Sequence, residues 1–170
     1  MIVLLDAHSN PIPEKDTLIQ DACTRAGIYV GQWSLDDLAK LDGEAILASH
    51  DVQSQALEAV KTPLAQLKRR FGYQYEDIVG LTPNTPNLDG ILQAFRPEHH
   101  HTDDEVRVVL HGAGIFGFVP SVGDPFELEV QKGDWIVVPA LTRHYFYLTE
   151  TQTIIALRVF KDSPKWEAMY

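Results

Sequence analysis

Apolar positions recur with two different periods along this chain of 170 residues, helical in the first half and strand-like in the second. From Asp16, the positions Leu18, Ile19 and Ala22 follow a helical spacing, and Gly27 stands where a left-handed C-cap would fall. Val60, Leu64, Leu67 and Phe71 form one stripe within a longer helical region, residues 51–71. Pro63 interrupts that region. Proline breaks a helix interior but suits a first turn, so the pattern predicts two helices with Thr62-Pro63 opening the second. Short extended segments flank the helices: residues 2–5 as an edge strand ended by Pro11 and Pro13, then Ile28 to Trp33, then Tyr73 to Val79 before the turn-rich LTPNTPNLDG.

After Gly90 the runs become short and rich in β-branched and aromatic residues: ILQAF, EVRVVL, GIFGFV, FELEV, WIVV, HYFYL and TIIALRVF. Glycine, proline or polar turns separate most of them. Seven strands at hairpin-length spacing predict an antiparallel sandwich or barrel in this mainly β half. No repeat or low-complexity segment is present, and the break from Pro83 to Gly90 reads as a connection between layers.

Composition narrows the function. A net charge of −10 repels phosphate backbones and anionic lipid, which argues against nucleic acid and membrane partners. The one basic run, Lys68-Arg69-Arg70, lies in a helical pattern and reads as a solvated face. Cys23 is the single cysteine, so an internal disulfide is impossible and a thiolate metal site has only one donor. Any metal must use nitrogen and oxygen. MIVLL is followed at once by Asp6 and His8, which predicts neither a signal peptide nor a spanning helix, and the expected setting is cytoplasmic.

The densest chemistry is EHHHTDDEVR, Glu98 to Arg107. In an extended segment side chains alternate, so His99 and His101 project together while Glu98, His100 and Thr102 point away. Thr102-Asp103-Asp104 is a turn, with both aspartates read as solvent-facing. The strand that follows places Val106, Val108 and Leu110 on one face and Glu105 with Arg107 on the other. Glu105 can thereby return toward the two imidazoles. His144, at the end of GDWIVVPALTRH, follows a strand and a proline turn and can supply a fourth ligand. Short patterns of this kind recur by chance, so His99, His101 and Glu105 alone fit a solvated turn as well as a metal site. His100 reads as outward-facing or as an ordinary neighbour of the site, His8 and His50 as surface, and His111 as a satisfied core histidine.

These residues resemble two motifs of the cupin superfamily. His99, His101, Glu105 and Gly112 match H-x-H-x3-4-E-x6-G, and Gly133, Pro139 and His144 match G-x5-P-x-G-x2-H. The chain departs from the pattern in lacking a glycine six residues before His99, in having Leu141 for the second-motif glycine, and in lacking an asparagine after the last histidine. Within cupins, EHHHTDDEVR, GDWIVVPALTRHYF and the terminal ALRVF-x5-W are similar to acireductone dioxygenases over residues 90–166. The resemblance implies a single cupin domain over residues 1–170: mixed, mainly helical elements in 1–89 packed on a jelly-roll barrel, barrel strands in 90–160, and a C-terminal segment, 161–170.

Three imidazoles and one carboxylate suit Fe(II), Ni(II) or Zn(II), and around an octahedral metal they leave two adjacent positions for a chelating substrate. The family implies Fe(II) or Ni(II), one ion per chain, and oxidative cleavage of an enediol ketone by O2. Iron would give 4-methylthio-2-oxobutanoate and formate; nickel would give 3-methylthiopropanoate, formate and carbon monoxide. Arg107 is the expected holder of the substrate anion, its alternative being an ion pair that ties down Glu105. Phe95 on the incoming strand and Phe146 in parity with His144 are expected to receive the thioether tail, the resemblance implies that Trp166 closes the pocket, and Arg158 is a second anion partner whose strand parity is open. Two rivals stand beside this reading: another cupin enzyme, such as a thiol dioxygenase or isomerase, and a non-catalytic cupin that binds a small ligand. Oligomeric state is not legible, and a monomer is compatible with everything above.

Overall fold

The structure, a computed structural model, describes residues 1–5, 11–12, 16–162 and 169–170. The sequence expectations for His8 and Trp166 fall outside these residues.

The chain runs β1 (Val3–Leu5), α1 (Asp16–Ala26), β2 (Tyr29–Gln32), a short 3-10 turn (Asp36–Lys40), α2 (Gly43–Ala48), α3 (His50–Phe71), β3 (Tyr75–Leu81), α4 (Leu88–Phe95), β4 (Glu105–Phe118), β5 (Phe126–Gln131), β6 (Asp134–Val138), β7 (His144–Leu148) and β8 (Ile154–Phe160). All strand pairs are antiparallel. They form two arrays that share β4: β1-β5-β4-β7, and β2-β6-β4-β8-β3. This mainly β, curled antiparallel architecture with helices outside is the cupin-type fold that the sequence implied.

The sharing of β4 has a local cause. Its first residues, Glu105 to Val108, pair with β6, and Ala113 to Phe118 pair with β5. Between them the register against β8 shifts at Val109/His111. Gly112 has φ +75°, and a Cβ there would lie 2.0 Å from the Thr153 carbonyl oxygen, so glycine is required. EVRVVL and GIFGFV are therefore one bent strand of 14 residues instead of two. A glycine between two strand-like runs reads as a turn in sequence, and only the cross-strand partners show it to be a bulge.

The centre of the second array, β6-β4-β8, is buried on both faces. Val106, Val108, Leu110, Trp135, Val137, Ile155, Leu157 and Val159 pack outward under α2 and α3, through Ile46, Val60, Leu64 and Leu67. Val109, Ile136, Val138 and Ile154 pack inward with Phe116, Phe118, Leu128 and Val130. Helical cover on one side and a second array on the other explain why all five residues of β6 are buried, where a half-exposed strand would alternate.

Two expectations fail on period. α3 is a single helix of 22 residues that continues through Pro63. Proline removes the hydrogen bond to the Ala59 carbonyl, but burial of Val60 on one side and of Leu64 and Leu67 on the other, each contributing about 1.5–3 kcal/mol, holds the helix together across the defect. Its ends are well specified: the Ser49 hydroxyl accepts from the Val52 N–H, and Gly72 closes it with φ +78°. ILQAF is not a strand but most of α4, in which Leu88, Ile91, Leu92 and Phe95 follow i, i+3, i+4, i+7. Phe95 accordingly enters from the last turn of a helix. Among the described residues no helix is long and apolar enough to cross a membrane.

Candidate metal centre

β4 begins at Glu105 and β7 at His144, and the segment before β4 carries His99 and His101. His99 and His144 face each other in a two-residue antiparallel bridge: the His99 N–H donates to the His144 carbonyl at 2.8 Å, and the His144 N–H returns the bond at 2.9 Å. Residues directly opposite in such a pair send their side chains to the same side, and the two ring centroids are 4.6 Å apart. The His101 ring is 5.1 Å from each of them. The possible ligand atoms of His99, His101 and His144 lie within 4.8 Å of one another, and all three residues are buried. This is a group that could hold a metal ion.

Backbone carbonyls fix two of the rings. His99 Nδ1 donates to the Pro97 carbonyl at 2.8 Å, and His144 Nδ1 donates to the Thr142 carbonyl at 2.8 Å. A carbonyl only accepts, so Nδ1 of each ring carries a proton and Nε2 is the nitrogen turned toward the site, the orientation a metal site needs. Glu105 adds the carboxylate: Oε2 is 2.8 Å from His144 Nε2 and 3.1 Å from His101 Nε2. The donor set is therefore nitrogen and oxygen without sulfur, and it fits a divalent transition metal of the Fe(II), Ni(II) or Zn(II) kind.

The electrostatics agree with the geometry. Burial by itself would raise the Glu105 pKa, but Arg107 and hydrogen bonds from His101 and His144 hold it well below the usual carboxylate range. Burial also tends to lower the His144 pKa, yet its bond to Glu105 leaves it raised. For His99 burial prevails, and its pKa is lowered despite the Pro97 carbonyl. Arg107 Nη2 is 3.0 Å from Glu105 Oε1, so the ion pair with Glu105 that the sequence offered as an alternative is present.

A cavity of about 220 Å³ opens beside this group. Its polar end carries His99, Glu105, Arg107 and Arg158, and its apolar wall includes Leu81, Ile91, Phe95, Phe116, Phe146 and Ile154. Arg107 and Arg158 are register partners on β4 and β8, which settles the parity of Arg158 toward the cavity. Asp77, opposite Arg158 on β3, holds it through Arg158 Nε to Asp77 Oδ1 at 2.8 Å.

The model of the ARD/ARD' family matches residues 29–168. The chain belongs to this family, that of the acireductone dioxygenases. It is 37% identical to the acireductone dioxygenase of Sulfurihydrogenibium sp. over all of this chain and 94% of that one. It is 36% identical to that of Bacillus velezensis over 92% of each. Among solved structures, the acireductone dioxygenase from Bacillus anthracis with a cadmium ion in its active centre superposes with a TM-score of 0.84 at 31% identity, covering 99% of this chain and 96% of that one.

Acireductone dioxygenase motifs in the sequence singled out His99, His101, Glu105 and His144, and the fold brings all four together. Phe95 and Phe146 line the cavity. Asp103 is exposed as expected, but Asp104 is not a simple solvent-facing turn residue: its carboxylate accepts from the Ala140 N–H at 3.0 Å and from the Tyr73 hydroxyl at 2.9 Å. His111 is half-buried, its ring lying where a Cβ on Gly43 would fall. His50 is exposed, and His100 pairs with Met169 through two backbone bonds of 2.8 Å. The sequence reading missed Asp77, Ile91, Leu81 and Ile154. Ile91 was recoverable from its i, i+4 relation to Phe95; the others depend on which strands become neighbours.

Proposed function

We propose that this chain is a metal-dependent dioxygenase that cleaves acireductone, 1,2-dihydroxy-3-keto-5-methylthiopentene, with O2. The carrying observation is the meeting of His99, His101, His144 and Glu105 at the polar end of an otherwise apolar cavity, in a chain of the acireductone dioxygenase family. His99, His101 and His144 would hold the metal through ring nitrogens, and Glu105 through a carboxylate oxygen. When bound, Fe(II) or Ni(II) supplies a positive charge that favours the deprotonated enediol and a redox-active centre for reaction with O2.

The remaining residues position that substrate. Arg107 and Arg158 present two guanidiniums to the cavity, and they would grip and orient the oxygens of the enediolate. Phe95 and Phe146 would take the methylthioethyl tail and keep water from the reacting carbons, with Trp166 contributing from the C-terminal segment. Iron would yield 4-methylthio-2-oxobutanoate and formate, and nickel 3-methylthiopropanoate, formate and carbon monoxide. The setting we propose is methionine salvage in the cytoplasm; the single cysteine, Cys23, fits a reducing compartment.

The test is anaerobic reconstitution of metal-free protein with Fe(II) or Ni(II), followed by acireductone and O2. Formate with the 2-oxo acid is expected from the iron form, and carbon monoxide from the nickel form. If neither form consumes O2, the proposal falls.

A further inference from the structure

We infer that Asp104 is a positioning residue for the candidate metal centre, holding in place a strained turn that presents His144. The inference rests on the metal-binding reading above. The turn is Pro139 to Thr142, closed by the Thr142 N–H on the Pro139 carbonyl at 3.2 Å. Leu141, inside it, has φ +65° and is 66% exposed. A leucine in the left-handed region is disfavoured because its Cβ crowds the backbone, and an exposed side chain returns little packing to offset this. The turn therefore needs support from outside itself, and it is His144, two residues further on, whose ring depends on it.

That support comes from the segment carrying the other ligands. On one side of Leu141 the Ala140 N–H donates to Asp104 Oδ1 at 3.0 Å; at Leu141 itself the N–H donates to the His101 carbonyl at 2.8 Å. Asp104 is in turn anchored. Its Oδ2 accepts from the Tyr73 hydroxyl at 2.9 Å and pairs with Lys161 at 3.1 Å, and Tyr73 is buried in the core beneath α3. One carboxylate thus ties the His101–Glu105 turn, the His144 turn and the hydrophobic core into a single unit. Two further side-chain links join the ligand segments: Glu105 with His144 inside the site itself, and Arg143 with Glu98, an exposed arginine on a half-buried glutamate.

A group that touches no ligand atom but fixes the segment bearing one acts on metal affinity, commonly by 10- to 100-fold. The experiment titrates metal-free protein with Co(II) under anaerobic conditions and follows binding by calorimetry and by the visible absorption of the bound ion. Asp104→Ala is expected to weaken Co(II) binding by about 10- to 100-fold and to alter the absorption band. Asp104→Asn, which keeps an acceptor for Ala140, is expected to restore most of the affinity. Adding Leu141→Gly to Asp104→Ala is expected to recover affinity by relieving the turn itself. Lys161→Ala, which removes only the exposed end of the ion pair, is expected to bind within about twofold of wild type. Should Asp104→Ala not fold, Tyr73→Phe keeps the ring and removes the anchor, and a weaker Co(II) affinity is expected. Wild-type affinity and spectrum in Asp104→Ala, or in Tyr73→Phe where that variant is used, overturn the inference. So does a loss that neither Asn at 104 nor Gly at 141 reduces. Failure of the wild-type protein to bind Co(II) overturns the metal-binding reading and the inference with it, and is told apart by that measurement alone.

Discussion

A carboxylate and a carbonyl both only accept hydrogen bonds, and His144 faces one of each. Its Nδ1 lies on the Thr142 carbonyl and its Nε2 on Glu105 Oε2, two acceptors that together favour the protonated ring. This is the physical reason its pKa is raised. A raised histidine pKa stabilises the folded chain fully below the ordinary value near 6.5, and that contribution is lost as pH rises through the folded pKa. Metal binding must expel the same proton, so affinity is expected to rise with pH over that window while protons are released. Calorimetry of Ni(II) binding in buffers of different ionisation enthalpy measures both; pH-independent affinity would contradict the assignment. Glu105 supplies the opposite limb. Its pKa is depressed in part by Arg107, so Arg107→Ala raises it and moves acid-side loss of metal to higher pH. The same variant is expected to lower kcat/KM by 100-fold or more at saturating metal if the proposed forked contact to the substrate anion is what it removes, an effect on the order of 3 kcal/mol. Metal content against pH and steady-state kinetics separate the two effects.

Elements place these groups, and one bend matters most. β4 leaves one array for the other at Gly112, where the backbone is left-handed and the Thr153 carbonyl excludes a side chain. Gly112→Ala is therefore expected to destabilise the protein by more than about 1 kcal/mol and to weaken metal binding, since β4 carries Glu105 at one end and pairs with His144 at the other. Urea denaturation with and without Ni(II) checks this. Pro63 is the converse case: a helix interior that tolerates a missing donor. Pro63→Ala is expected to raise the denaturation midpoint, by no more than about 3 kcal/mol in stability, with metal binding unchanged. α4 contributes differently, sending Ile91 and Phe95, one turn apart, into the cavity wall.

At the scale of the molecule, the four candidate ligands come from segments up to 45 positions apart, from His99 to His144, so only the folded chain assembles them. Binding that requires the fold must stabilise it. Ni(II) at about 100 times its dissociation constant is expected to add about 2.7 kcal/mol to unfolding stability, and a chelator should reverse this. Thermal scans of metal-free and reconstituted protein measure it; equal midpoints would mean that the site does not bind metal in the folded state.

Periodicity and motif spacing sufficed to name the candidate ligands that the fold brings together and the mainly β fold, because His99 and His101 share one face of an extended segment whatever that segment pairs with, and because strand-like runs crowd the region after Gly90. Glu105 and Arg107 followed by the same parity. Local pattern could not distinguish ILQAF as helix from strand, nor the glycine at 112 as bulge from turn, since short apolar runs fit either period and a bulge is defined by its partner. Tertiary structure decided the rest. It turned Arg158 toward the cavity through register with Arg107, oriented the His99 and His144 rings through carbonyls two residues away, and made Asp104 a tie between two turns. Each of these depends on which chemical group arrives opposite another across the sheet, a quantity set by packing of the whole chain and by no stretch of it alone.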